Sequence, residues 1–125
     1  MSDATTTVAD LREIVREFVD QRDWQQFHAP KNLSMALAIE AAELMEHFQW
    51  LDVEASRQLP ADPARLAAAA EELADVLGYG LALANELGID VADTIRAKMI
   101  KNAEKYPASE FRGRYGRDDP NYKNG

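Results

Sequence analysis

Cysteine is absent from the 125 residues, which excludes disulfides and thiolate metal centres. No apolar run reaches 18 residues, so nothing in the chain reads as a membrane-spanning helix. The opening residues MSDATTTVAD lack a basic segment followed by an apolar one. The expectation is a soluble protein of the cytoplasm with no membrane partner. Excess positive charge is missing as well. The formal net charge is −8, whereas binding a nucleic acid polymer demands a basic footprint. A small anionic substrate stays open, because a metal ion can reverse the field inside one pocket. Neither an internal repeat nor the alternating pattern of a strand occurs.

What remains is an ordinary globular balance, 46% hydrophobic and 29% charged. The length suits one domain, or one protomer whose core a second subunit completes. Val8, Leu11, Val15, Phe18 and Val19 follow helical spacing and predict a first helix over 5–22, with Val15 facing either core or pocket. The stretch DWQQFHAPKN, 23–32, reads as a loop broken by Pro30 and carrying Trp24, Phe27 and His28. A second helix is expected from about Asn32 to Leu51, with Leu33, Leu37, Leu44, Phe48 and Leu51 as its apolar face. Residues 52–62 read as a connecting loop. Asp62 and Pro63 open a third helix, 63–87, which Gly88 closes. Asp90 caps a fourth, 91–105, which ends before Pro107. The domain is expected to cover 1–110, and the tail FRGRYGRDDPNYKNG, 111–125, to be flexible. The predicted fold class is all-α, a four-helix bundle centred on its second and third helices.

Those two helices carry carboxylates beside their apolar faces. At about 100° per residue, Glu40 falls about 60° from the centre of the Leu37/Leu44/Phe48 stripe, and Glu43 lies on the same flank. Glu46 falls further off and is expected in solvent. On the third helix Glu72, Asp75 and Tyr79 form one row, while Leu66, Leu73, Leu77 and Ala84 supply another face and Glu71 points elsewhere. A single ExxE pair reads first as solvated surface, since exposed carboxylates are the rule. Two pairs are harder to dismiss. If the helices pack antiparallel with these faces together, four carboxylates converge, and like charges in a partly dry cleft resist ionisation. A hard divalent cation removes the conflict, and an all-oxygen donor set favours Mg²⁺, Mn²⁺ or Ca²⁺ over zinc. The fourth helix places Lys98 and Asn102 one turn apart, with Tyr106 beyond them and Lys101 and Lys105 alongside. Such residues can donate to phosphate oxygens, or form a plain solvated basic face.

In order along the chain, ExxE (Glu40, Glu43), ExxD (Glu72, Asp75) and KxxxNxxxYP (Lys98, Asn102, Tyr106, Pro107) resemble the MazG-like all-α NTP pyrophosphohydrolase superfamily over about 8–110. RDWQQFHAPKNL (22–33), FQW (48–50) and EELADVLGY (71–79) are similar to its dCTP pyrophosphatase branch. The resemblance implies a Mg²⁺-dependent enzyme, with Mn²⁺ able to substitute. It would cleave a nucleoside triphosphate, such as dCTP or a modified dCTP, to the monophosphate and pyrophosphate. It implies a bundle completed as a homodimer or homotetramer. By position, Glu40, Glu43, Glu72 and Asp75 correspond to metal-binding acids, and Lys98 and Asn102 to residues near the phosphates. Trp24, Trp50 and Tyr79 occupy places around the base, with His28 in the matching loop and Tyr106 closing the phosphate-side row. The spacing does not separate Glu43 from Glu40 as proton acceptor.

Other readings are available. A related substrate, dUTP or phosphoribosyl-ATP, would use the same fold. A non-catalytic interaction module would need an apolar groove but neither acidic pair. A di-iron carboxylate bundle would need Glu-x-x-His on two helices. Here His47 stands four after Glu43, and the third helix has no histidine.

Overall fold

Short polar side chains and prolines decide where the helices begin. The computed structural model describes residues 1–114, and among these there are helices and turns but no strand. Helix α1, Val8–Gln21, opens on Thr7, whose side chain accepts from the Asp10 N–H while Asp10 accepts from the Thr7 N–H. This reciprocal pair is a capping box. Helix α2, Pro30–Glu46, has no side-chain cap and begins instead with proline in its first turn, where the missing N–H costs nothing. The sequence reading took Pro30 as a breaker, and it is a starter. Helix α3, Val53–Arg57, falls within the stretch expected to be a loop, because Asp52 accepts from the Ala55 N–H and nucleates a turn. Helix α4, Pro63–Leu87, is capped by Asp62, which accepts from Ala64 and Arg65, and closes on Gly88 at φ 65°. A left-handed residue at that position favours glycine. Helix α5, Val91–Lys105, is capped by Asp90, and α6, Ala108–Phe111, follows Pro107.

The second helix is shorter than predicted. It ends at Glu46, and tight turns carry the chain from His47 to Leu51. Phe48 nevertheless lines the same apolar groove as Leu44, so the apolar pattern outlives the helix that suggested it. Helix α6 reaches Phe111, the first residue of the tail expected to be flexible, and the rest of that tail from 115 onward lies outside the described residues.

The chain divides into two units, 1–89 and from 90 onward. In the first, α2 and α4 make the most extensive pairing and α1 lies against α4. Leu37 approaches Gly80, whereas Leu44 and Phe48 share a groove with Leu66 and Leu73, so α2 and α4 run antiparallel. The buried apolar side chains are few and mostly small: Val19, Leu33, Leu59, Ala69, Ala82 and Ala84. Leu73 and Leu77, read from the sequence as a core face of α4, are 47% and 59% exposed. Ile39 and Met35 on α2 are exposed too. One chain therefore leaves the large side chains of the Leu66/Leu73/Leu77 face of α4 largely uncovered. In the second unit Tyr106 packs edge-on against Phe111, with ring centroids 5.2 Å apart. Among the described residues no helix is long and apolar enough to cross a membrane.

Candidate metal centre and adjoining cavity

The antiparallel pairing of α2 and α4 brings the two acidic motifs face to face. One carboxylate oxygen from each of Glu40, Glu43 and Glu72 lies within 4.8 Å of the others. Asp75, one turn along α4, is close enough for its charge to act on Glu40. Glu46 and Glu71 are exposed, as expected from their angles.

The electrostatics follow from that crowding. A hydrogen bond with Glu43, then lost hydration, then the charges of Glu43, Asp75 and Glu72 push the Glu40 carboxyl up to about 7. A hydrogen bond between two carboxyl groups requires a proton held between them. Oε2 of Glu40 and Oε2 of Glu72 are buried without a hydrogen-bond partner. Buried polar oxygens without partners carry the full cost of dehydration, and adjacent like charges add to it. These residues fit a hard divalent cation, which would take up the orphaned oxygens and offset the repulsion.

Beside the acids lies a cavity of about 380 Å³ between α1, the 22–29 segment and α4. Trp24, His28, Asp75 and Tyr79 all line it. Asp75 thus lines the cavity while its charge reaches Glu40 of the acidic cluster. Val15, whose direction the sequence left open, faces this cavity. Trp24 is fixed by a 5.6 Å edge-on contact with Phe18, over whose ring the Arg22 guanidinium sits at 3.8 Å. His28 closes a short 3₁₀ turn, Gln25–Phe27, by donating its N–H to the Gln25 carbonyl. The volume suits a small-molecule ligand, and the mix of aromatic walls with a few polar groups is usual for one.

Trp50 lies in the turns after α2, 88% exposed and outside the cavity lining. In the second unit Lys98 and Asn102 are one helical turn apart on α5, and Tyr106 ends that helix by donating its N–H to the Asn102 carbonyl at 2.7 Å. Sequence reasoning used Phe18 only to mark the first helix and passed over Ile14 and Gly78, all of which line the cavity. The small residues Ala74, Gly78 and Ala82 recur every four positions along α4, and that row was the available signal of a hollow beside the helix. A Cβ at Gly78 would meet nothing within 4 Å.

Comparison with known proteins agrees with this architecture. The chain is 41% identical to dCTP pyrophosphatase 1 from Bos taurus over 107 residues, which is 86% of this chain and 63% of the relative. It is 45% identical to dCTP pyrophosphatase 1 from Homo sapiens over 103 residues, 82% of this chain and 60% of that one. It thus spans about three fifths of the length of these curated relatives. A crystal structure of a pyrophosphatase from Archaeoglobus fulgidus superposes with a TM-score of 0.73 at 37% identity, covering 86% of this chain and 98% of that one. The sequence model of the MazG-like family matches residues 35–115, a span that takes in both acidic motifs and helices α4 to α6, and the chain belongs to that family.

Proposed function

We propose that this protein is a Mg²⁺-dependent nucleoside triphosphate pyrophosphohydrolase that releases monophosphate and pyrophosphate from dCTP or a modified dCTP. The observation that carries the reading is one juxtaposition. A trio of facing carboxylates with two orphaned buried oxygens adjoins an aromatic-walled cavity, and Asp75 serves both. The chain's likeness to two dCTP pyrophosphatases supports the choice of nucleotide.

Glu40, Glu43 and Glu72 would hold the Mg²⁺, with Asp75 adjoining; Mn²⁺ offers the same preference for oxygen. When bound, such an ion lowers the pKa of a coordinated water and neutralises triphosphate charge. Glu40 and Glu72 each carry a buried oxygen without a hydrogen-bond partner, which supports ligand roles for both. Glu43 is the carboxylate assigned to take the proton from the water that attacks the α-phosphorus. Trp24 and Tyr79 wall the base, and His28 contributes the polar contact on that side. Lys98, Asn102 and Tyr106 are assigned to the phosphates. Lys98 would stabilise charge on the departing pyrophosphate.

The working form is a homodimer or homotetramer in the cytoplasm. The uncovered apolar side chains of α2 and α4, Ile39 and Leu77 among them, support this assembly, because exposed apolar patches mark association surfaces. Trp50, at 88% exposure, is a further side chain that association would cover.

Product release from a panel of ribo- and deoxynucleoside triphosphates, with Mg²⁺ and with EDTA, tests the proposal. Phosphoribosyl-ATP belongs in the panel. The expected result is Mg²⁺-dependent release of both products, fastest with a deoxycytidine nucleotide. Fastest turnover of dUTP or phosphoribosyl-ATP would reassign the substrate. No release from any of them would refute the enzymatic reading.

A further inference from the structure

Helix α1 forms one whole wall of the cavity, through Ile14, Val15, Phe18 and Val19. Against α4 it meets the small residues Ala74, Gly78 and Ala82, and of its own side chains Val19 alone is fully buried. Apolar packing between the two helices is therefore sparse where the cavity lies. A helix backed by a hollow needs something else to fix its distance.

That something is at the far end of the wall. Arg12 donates from Nε to Oδ1 of Asn85 at 2.9 Å and from Nη1 to the Ile89 carbonyl at 2.5 Å. Asn85 returns a bond from Nδ2 to the Arg12 carbonyl at 3.2 Å, and Arg16 reaches the same Oδ1 at 3.4 Å. Among the described residues these are the side-chain hydrogen bonds that join α1 to α4 and its C-terminal turn. Arg12 and Asn85 are half-buried, which strengthens each bond over an exposed one. Gly88 turns the chain so that the Ile89 N–H bonds to the Ala84 carbonyl, and the Ile89 carbonyl then falls to Arg12. The guanidinium also sits at a helix C-terminus, where a cation is favoured.

We infer that Asn85, with Arg12, is a positioning pair for the nucleotide reaction: it sets the spacing of α1 from α4 and hence the fit of the base in the cavity. The pair touches neither acid nor base directly, since neither residue lines the cavity. Its effect is on binding of the nucleoside part, equal in ground and transition states, and so falls on KM. The inference rests on the proposed nucleotide reading.

The test is steady-state kinetics of the full chain with Mg²⁺ on dCTP and on dTTP. Asn85→Ala is expected to raise KM for dCTP about fivefold to tenfold, the worth of one or two net hydrogen bonds, with kcat within about twofold. The preference for dCTP over dTTP should shrink. Asn85→Asp, which still accepts from Arg12 and Arg16, should recover most of the KM. A merely structural role would instead lower the active fraction, reducing kcat for both nucleotides alike and leaving KM and preference unchanged, and that result overturns the inference. Should Asn85→Ala fail to fold, Arg12→Gln is held to the same expectations. Should the wild type cleave nothing, the nucleotide reading fails on its own, and the pair is judged by Trp24 emission in a Trp50→Phe background. Red-shifted emission in Asn85→Ala then supports the positioning role over the cavity, and unchanged emission overturns it.

Discussion

Ion binding at the acidic cluster is expected to expel a proton, in a proportion set by Glu40. With its carboxyl pushed up to about 7 by Glu43 and the neighbouring acids, Glu40 holds a proton in metal-free molecules at pH 6 that is largely gone by pH 8. A metal ligand must be deprotonated, so ion binding releases more protons at pH 6 than at pH 8. Calorimetric titration with Mg²⁺ in buffers of different ionisation enthalpy measures them directly. Apparent affinity should fall about tenfold per pH unit below the pKa and level off above pH 8. Glu40→Gln should bind Mg²⁺ more weakly and lose this pH-dependent release. The same carboxyl sets the sign of metal-free stability. Unfolded, it ionises near 4.5, while folded it keeps its proton to about 7. The folded state therefore binds more protons between those values, and the contribution of Glu40 to stability declines as pH rises from about 4.5 to about 7. Acidification through the same window restores it. Melting of the apo protein should follow this trend, and Glu40→Gln should flatten it while abolishing turnover. Equal proton release at pH 6 and pH 8, or undiminished pH-dependent release from Glu40→Gln, would refute the reasoning.

Trp24→Ala should raise KM more than it lowers kcat, because a wall of the base cavity acts equally before and during reaction; unchanged kinetics would make Trp24 scaffold. Leu33, 2% exposed, is the side chain most deeply enclosed, and Leu33→Ala should cost about 3 kcal/mol in a denaturant titration at fixed protein concentration. A loss under about 1 kcal/mol would mean that the site collapses around the gap. Leu77→Glu should shift the protein to monomer in sedimentation velocity, since it places a charge on the uncovered apolar side of α4. A native-sized oligomer from Leu77→Glu would move the association surface elsewhere.

The bounds of α4 and α5 were legible because their caps are chemical signals independent of packing, whereas α1 and α2 were read from apolar spacing alone. Asp62 with Pro63, Gly88 and Asp90 each act where the sequence put them. Helix α3 was not legible, for its five residues depend on one Asp52 side chain and carry too short a period to show. The extent of α2 was misread because Phe48 keeps the apolar register after the backbone has left the helix. Glu40, Glu43 and Glu72 stood out in the sequence because carboxylates beside an apolar stripe conflict with burial, and the structure places them within reach of one another. Trp24, His28, Asp75 and Tyr79 come together around one cavity. The α1 wall was missed, since Ile14 and Phe18 have the spacing of ordinary core residues and only the third dimension shows a void in front of them. The apolar face of α4 was predicted as core, and its exposure arises because periodicity reports that a face needs covering without saying what covers it.

Helix α4 works as a gauge. Glu72 and Tyr79 stand seven residues apart on one unbroken helix, which places the acidic and aromatic ends of the site about 10 Å apart along its axis. Nothing softer intervenes, so that separation is stiff. Adding one residue between them would swing one end about 100° out of register, whereas substitutions on α1 or in the 22–29 segment leave the acids untouched. The chain is thus divided into a part that tolerates revision and a part that does not. The α1 wall of the cavity can be revised apart from that spacing, while Glu72 and Tyr79 stay fixed relative to one another by the pitch of a single helix.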